Sequence, residues 1–407
     1  MSWPTQNETK TAMADGPAAH GGIQQLSSTA ARDRLIVVGA GTVGTAVAWA
    51  AAREGLAGEV VLLDPEPGSG ASRVAGGMLG PVTEAWAGEP EILELGSASV
   101  ASWPAFADAV AADAGHPVGL RTEGTLQVAI DAADVASLDR MAKHFRDLGH
   151  HGIEPLTGPE ARRREPALSP TVRAGLAVPG DLAVDNRALF TALAAACEAR
   201  GVVTCRARAI RVVDDGERVT GVETEGGLLA AGRVVVAAGS WSPSLHPVFA
   251  DRVRPVKGEI LRIRARQSSP PPPTHTIRTA IEGRPVYVVP RARGRLAVGA
   301  TKYEAGFDPD VLVGGIRNLL VDVEQILPGV ADYALEETAA SFRPCTEDNM
   351  PLLGPVGPEG LIAATGHGRN GLLLTPVTVE ALTAVLRGED LPGIARPAAA
   401  TRTTAYA

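Results

Sequence analysis

The sequence is poor in cysteine, in long apolar runs and in clustered positive charge, and each shortage removes a class of protein. Its three cysteines (Cys197, Cys205 and Cys345) are odd in number, and none forms a Cys-x-x-Cys pair. That spacing argues against a disulfide scaffold or a thiolate zinc site and fits a reducing cytoplasm. No uninterrupted apolar stretch reaches membrane-spanning length. With 38 basic against 46 acidic residues the formal net charge is −8, which offers no polybasic footprint for nucleic acid. The densest basic run, Arg162-Arg163-Arg164, is flanked by acids and reads as solvated surface. The first thirty or so residues lack a basic segment followed by an apolar core, so no secretory leader is expected. Internal repeats are missing too, as is a convincing His–Asp or paired-carboxylate constellation.

A chain of 407 residues is long for one core, so two domains are expected. Residues 1–31 are polar and small and read as a disordered tail. Residues 391–407, with their prolines and alanines, read as a second loose tail. Ser268-Ser269-Pro270-Pro271-Pro272-Pro273 reads as a stiff extended surface connector.

Two glycine motifs lie more than three hundred residues apart. Near the start, Leu35-Ile36-Val37-Val38 suits a buried strand, and Gly39-Ala40-Gly41-Thr42-Val43-Gly44 follows it. Thr42 to Glu54 reads as a helix stopped at Gly55, and Val60 to Asp64 as the next strand. This is a βαβ unit with an acid at its end, the pattern of a dinucleotide site. Gly39 permits the tight turn, Gly41 lets backbone approach the pyrophosphate, and Gly44 allows close helix–strand packing. The helix N-terminus offers N–H donors and the positive end of its dipole to phosphate. Asp64 would accept hydrogen bonds from ribose hydroxyls. Near the end, Gly366-His367-Gly368-Arg369-Asn370-Gly371 lies between a strand and a helix, as a site built for a redox ring would. Together the two segments imply a flavin.

Between them the chain alternates informatively. Ala188–Arg200 reads as a helix, Val202–Val213 and Val219–Glu225 as strands, and Val234–Val236 as a buried strand ending in Ala237-Ala238-Gly239. This is a β-meander feeding a parallel sheet. Val256–Ala265, Val286–Pro290 and Leu296–Ala300 read as longer antiparallel strands, with a turn at Arg291-Ala292-Arg293-Gly294.

Seven segments now carry a resemblance. They are Gly39–Gly44, Ala75-Gly76-Gly77-Met78-Leu79-Gly80, Pro255-Val256-Lys257-Gly258-Glu259, Tyr287-Val288-Val289-Pro290-Arg291, Gly299-Ala300-Thr301, Phe342-Arg343-Pro344 and Gly366–Gly371. In this order, over almost all of 34–390, the chain resembles the glycine oxidases of thiamine biosynthesis, within the D-amino-acid oxidase superfamily. The resemblance implies an α/β fold: a Rossmann-like FAD-binding domain (32–90, 165–250 and 336–390) with an inserted, mostly antiparallel α+β substrate domain (91–164 and 251–335). It also implies non-covalent FAD and oxidative deamination of glycine by hydride transfer to the flavin. Dioxygen would be reduced to hydrogen peroxide and the imine supplied to downstream thiazole-synthesis enzymes. Homo-oligomers are frequent in the family.

The implied site follows residue by residue. Arg343 would grip the substrate carboxylate with its planar fork, a task suited to guanidinium. Tyr287 would add a hydrogen bond and shape a small pocket, and Arg369 would lie close to substrate and flavin. Cofactor contacts are implied for Gly39, Gly41, Thr42, Val43, Gly44, Asp64, Pro65, Ala71, Ser72, Gly76, Gly77, Met78, Ala209, His367, Gly368, Arg369, Asn370, Gly371, Leu372 and Leu373. The final helix would aim its positive end at the flavin. Lys302 departs from relatives that place an apolar residue there, and Cys345 lies near where sarcosine oxidases attach flavin covalently. Three other readings stay open: a sarcosine or D-amino-acid oxidase or dehydrogenase, an NAD-dependent dehydrogenase needing only the first motif, and a flavin binder without catalysis.

Overall fold

A computed structural model describes residues 28–86, 88–149 and 152–403. Most of the expected N-terminal tail, 1–27, lies outside the described residues, whereas Ser28–Asp33 forms a 3-10 helix that enters the first strand.

The nucleotide half is built on a six-stranded sheet in the order Leu352–Pro355, Leu361–Thr365, Arg233–Val236, Arg34–Val38, Glu59–Leu63, Val203–Cys205. All neighbours are parallel except the first two. Parallel strands covered on both faces need apolar side chains in succession. Arg34–Val38 accordingly sends Leu35 and Val37 into one core and Ile36 and Val38 into the other. Helices Thr42–Arg53, Asn186–Ala199 and Thr375–Leu386 fill the first core, and the meander 209–230 with Phe249 fills the second. Strand Arg34–Val38 is flanked by the strand that follows it in sequence and by one from residue 233 onward. The crevice at its C-terminal end is therefore a topological switch point, where such sheets bind ligands.

The second half is an eight-stranded sheet in the order 334–345, 254–264, 295–299, 284–290, 276–281, 125–129, 174–178, 154–157. It is antiparallel except where Thr276–Ile281 pairs with Thr125–Ala129. Helix Val313–Ile326 covers it, burying Leu319, Val323 and Ile326 against Leu261, Val288 and Val298.

Four expectations need correction. Strands Ala174–Val178 and Ala334–Cys345 fall in the antiparallel sheet, not in the nucleotide half where the expected boundaries put their ranges. Ala334–Cys345 is the sheet's edge, which is why Pro344, without an N–H, is tolerated there. Helix Pro90–Ala114, expected with the substrate domain, packs into the nucleotide core. Its Trp103 is fully buried, and Phe106 stands edge-on to Trp49. Val202–Val213 is two strands, Val203–Cys205 in the parallel sheet and Ala209–Asp214 in the meander.

The fourth correction concerns the C-terminal segment, which is not loose through residue 403. Gly393–Ala398 is a 3-10 helix, Ala395, Ala398 and Ala400 are buried, and the Ala400 N–H donates to the Leu353 carbonyl at 2.7 Å. Arg402 grips Asp348 with two parallel bonds of 2.8 and 2.9 Å and donates to the Met350 and Pro351 carbonyls. Removing one partner of a mostly buried, bidentate pair costs more than a surface ion pair is worth. Arg402→Ala should therefore lower stability by about 1–3 kcal/mol and Tm by a few degrees in a thermal melt. An unchanged Tm would mean that the segment does not hold the fold.

Candidate active site

The pyrophosphate cradle is shaped by what its glycines exclude. A Cβ on Gly39 (φ +105) would lie 2.5 Å from the Ala237 carbonyl oxygen, and one on Gly44 would strike the Gly39 carbonyl. Both clashes are with backbone, so only glycine fits. Gly41 caps helix Thr42–Arg53, and the buried Thr42 hydroxyl has no partner among the described residues. Asp64 ends its strand as expected. Its Oδ2 accepts from the Ala40 N–H at 2.7 Å and its Oδ1 from the Glu66 N–H at 2.8 Å, so it also ties the glycine turn to the next loop. Pro65 is exposed beside it. The Thr42 N–H donates to Ser72 Oγ at 2.9 Å, bringing the 71–78 loop against the cradle. Ala209 starts the meander opposite Thr224.

The second motif closes on the same region. Gly366 (φ +76) and Gly368 (φ +54) turn the chain into a 3-10 helix, Gly368–Asn370, ahead of helix Thr375–Leu386. Asn370 Oδ1 is buried with no partner among the described residues. The Leu373 carbonyl accepts from Ser99 Oγ at 2.6 Å and Trp103 Nε1 at 3.0 Å, so the long helix Pro90–Ala114 fixes this loop. The Leu372 and Leu373 side chains face the core, leaving only their backbone for a cofactor. His367 is buried and bonded through Nε2 to Thr378 Oγ1 at 3.0 Å, and burial pushes its pKa down to about 4. It is neutral at ordinary pH.

Arg343 stands on the edge strand, paired with Val256, and its guanidinium lies on Gly258, where a Cβ would come within 2.5 Å of Cζ. Nη1 donates to the carbonyls of Lys257 and Thr301 at 3.3 and 3.2 Å. Among the described residues no carboxylate pairs with it, and Nε and Nη2 have no acceptor. Tyr287 is held between Gly76 and Gly299, where a Cβ on either would lie 2.5 Å from its ring or hydroxyl. Its hydroxyl likewise has no partner among the described residues. Burial pushes the Tyr287 pKa up, opposed by the Arg343 guanidinium. The two residues thus share one space, each with donors to offer.

Arg369 is turned to the turn at 81–89. Its Nη2 donates to the Glu84 carbonyl at 3.0 Å and to Glu89 at 3.1 Å, and its guanidinium lies 4.8 Å from the centre of the Trp86 ring. Lys302, next to the Thr301 carbonyl that holds Arg343, places Nζ 5.6 Å from the same ring. An indole flanked by two cations is an attractive arrangement. Trp86 therefore joins the second motif to the segment that follows the antiparallel strand 295–299. Sequence reasoning missed this turn, and with it the Glu84–Arg278 ion pair at 3.1 Å, where Arg278 is paired in register with Tyr287. Cys345 is buried beside Gly368, and burial pushes its thiol pKa up.

The residues fit a flavin dinucleotide: a cradle that only glycine can line, orphaned buried oxygens on Thr42 and Asn370, and two distant segments brought to one crevice. Such a fold and site define a dinucleotide-dependent oxidoreductase. Residues 34–385 match the FAD dependent oxidoreductase (DAO) family, and the chain belongs to it. The glycine oxidase of Geobacillus kaustophilus (strain HTA426) is 34% identical over 352 residues, 84% of this chain and 90% of that protein. The crystal structure of glycine oxidase from Geobacillus kaustophilus superimposes with a TM-score of 0.82 over 92% of this chain and 100% of that one, at 30% identity. A bifunctional protein ThiO/ThiG of Trichormus variabilis is 30% identical over 348 residues, 84% of this chain but 51% of that protein. The chain spans about half the length of that bifunctional relative. Among the described residues no helix is long and apolar enough to cross a membrane.

Two predictions follow from this geometry. Gly258→Ala removes the seat of the Arg343 guanidinium, so a small carboxylate bound beside the flavin should lose about tenfold to a hundredfold in affinity while FAD stays bound. Titration of the flavin absorbance reads both. Asp181 is fully buried beneath the 81–89 turn, with Thr83 Oγ1 donating to Oδ2 at 2.5 Å and Thr125, Arg278 and Glu84 also facing it. Burial pushes its pKa up to about 7. The folded pKa lies above the unfolded value, so its contribution is complete below about pH 4 and is lost as pH rises toward 7. Asp181→Asn should raise Tm by several degrees at pH 8 and leave it unchanged at pH 4.5.

Proposed function

We propose that the protein is a glycine oxidase that deaminates glycine and other small amines with non-covalent FAD and dioxygen, releasing hydrogen peroxide. The observation that carries this reading is the pair Arg343 and Tyr287. A cation without an internal anion and a hydroxyl without an internal acceptor face one small space closed by Gly76, Gly258 and Gly299. A zwitterion of glycine's size supplies the missing carboxylate.

FAD, when bound, supplies the two-electron acceptor. Arg343 fixes the carboxylate through its free Nε and Nη2 edge, and Tyr287 donates a second bond, so the Cα–H can be held in one orientation. Positioning of this kind carries much of a rate enhancement without a catalytic base. His367 is neutral and bonded to Thr378, which leaves the amine to enter already deprotonated. The raised pKa of Cys345 keeps it a thiol, which supports a flavin held without a covalent bond. The bifunctional relative ThiO/ThiG supports delivery of the imine to thiazole synthesis.

The test is a visible spectrum of the purified protein, followed by bleaching and peroxide release with glycine, sarcosine and D-alanine. Peroxide with glycine supports the proposal, and bleaching without peroxide would replace it with a dehydrogenase. Arg343→Ala should retain FAD and raise the glycine KM several hundredfold, from the loss of roughly 3–5 kcal/mol of a desolvated charge pair. Unchanged kinetics would remove Arg343 from the site. Tyr287→Phe should cost less, about tenfold in kcat/KM.

A further inference from the structure

The loop 71–78 runs between the dinucleotide cradle and Tyr287, and several of its carbonyls are pinned from outside the loop. The carbonyls of Ser72 and Arg73 accept from Asn186 Nδ2 at 2.6 and 2.9 Å, and Arg73 also accepts from Arg262 at 3.0 Å. The Gly77 carbonyl accepts from the Val184 N–H at 2.8 Å, and the Gly76 carbonyl accepts from Arg291 Nη2. Among the described residues neither the Gly76 nor the Gly77 N–H has an acceptor. Buried backbone donors without partners are rare in native proteins, so a strip with pinned carbonyls and free amides is built for an acceptor from outside the chain.

Arg291 is the unusual support. It closes the strand that carries Tyr287, and it is buried, with its side chain 3% exposed. Nη1 donates to the Pro290 carbonyl at 3.1 Å while Nη2 reaches Gly76, so the fork spans both segments. Among the described residues Nε is buried without a hydrogen-bond partner, and the Asp185 carboxylate is 3.8 Å away, outside hydrogen-bond range. Gly77 (φ +83) has no room for a Cβ, which would strike both Arg291 Nη2 and the Val184 carbonyl. Burial lowers the Arg291 pKa to about 10, so the group stays charged at neutral pH. A buried charge so poorly paired is costly to keep.

We infer that Arg291 is a positioning residue for the cofactor. It fixes the Gly76–Gly77 amides as donors to the flavin and places a constant positive charge behind them, which favours electron acceptance. This rests on the FAD reading of the site and on no choice of amine. A lysine there would keep the charge but lose the two-pronged grip.

The experiment uses the purified holoenzyme and its deflavinated form in Arg291→Met and Arg291→Lys variants. Three quantities are read: FAD dissociation constant, midpoint potential of the bound flavin, and Tm. Arg291→Met is expected to raise the FAD dissociation constant at least about tenfold, the size of one lost charged hydrogen bond, and to lower the potential. Arg291→Lys should restore the potential but leave FAD binding weakened severalfold. Should the Met variant fail to fold, the Lys variant alone decides. Variants that bind FAD with wild-type affinity and potential, with only Tm reduced, would overturn the inference and make Arg291 a purely structural residue. If the wild type holds FAD but glycine does not bleach it, the substrate reading fails while the Arg291 result stands.

Discussion

A positive charge held against backbone, with no anion of its own, is the constraint on which the site depends. Arg343 is kept in place by two carbonyls and by the missing side chain of Gly258, not by a carboxylate. Carbonyl dipoles orient a guanidinium without neutralising it, so the charge remains available to a ligand. Those carbonyls belong to Lys257 and Thr301, and both segments are themselves anchored. Lys257 Nζ reaches Asp308 at 2.8 Å, Thr301 Oγ1 reaches Glu259 at 3.1 Å, and Lys257 and Glu259 are fully buried. These paired charges lie on strand 254–264, next to the edge strand that carries the unpaired one.

The same logic recurs around the flavin loop. Glycine appears wherever two functional parts must touch: Gly39 with Ala237, Gly76 with Tyr287, Gly77 with Arg291, Gly299 with Tyr287. These positions let backbone and ring come together, and the packing leaves few side-chain atoms between cofactor loop and substrate sheet. Beyond them, Trp86 meets Arg369 from one half and Lys302 from the other.

What could be read from the sequence was local. The βαβ unit, Asp64, the meander and the final helix are encoded by neighbouring residues whose backbone demands are visible one by one. What escaped depends on pairing across long separations. Ala334–Cys345 lacks clean alternation and contains Pro344, and only its place at the sheet edge makes it a strand. The alanines and prolines after 391 suggested looseness, yet Ala395, Ala398 and Ala400 are small because they fill a core. The isolation of Arg343 and the clamp of Arg291 on Gly76 follow from contacts 42 to 215 residues apart. Such contacts leave no mark on nearby sequence. His367 and Arg369 sit in a legible motif, but their partners, Thr378 and the 84–89 turn, are visible only in three dimensions.

The Leu373 carbonyl, gripped by Ser99 and Trp103, bears on how the molecule comes into being. The nucleotide cradle and the bracing helix 90–114 are synthesised well before the counterpart at 366–371. Until residues 366–373 are made, a growing polypeptide carries half a binding crevice, with helix 90–114 lacking a docking partner. Capture of the prosthetic group therefore waits until both glycine segments have been made and brought together.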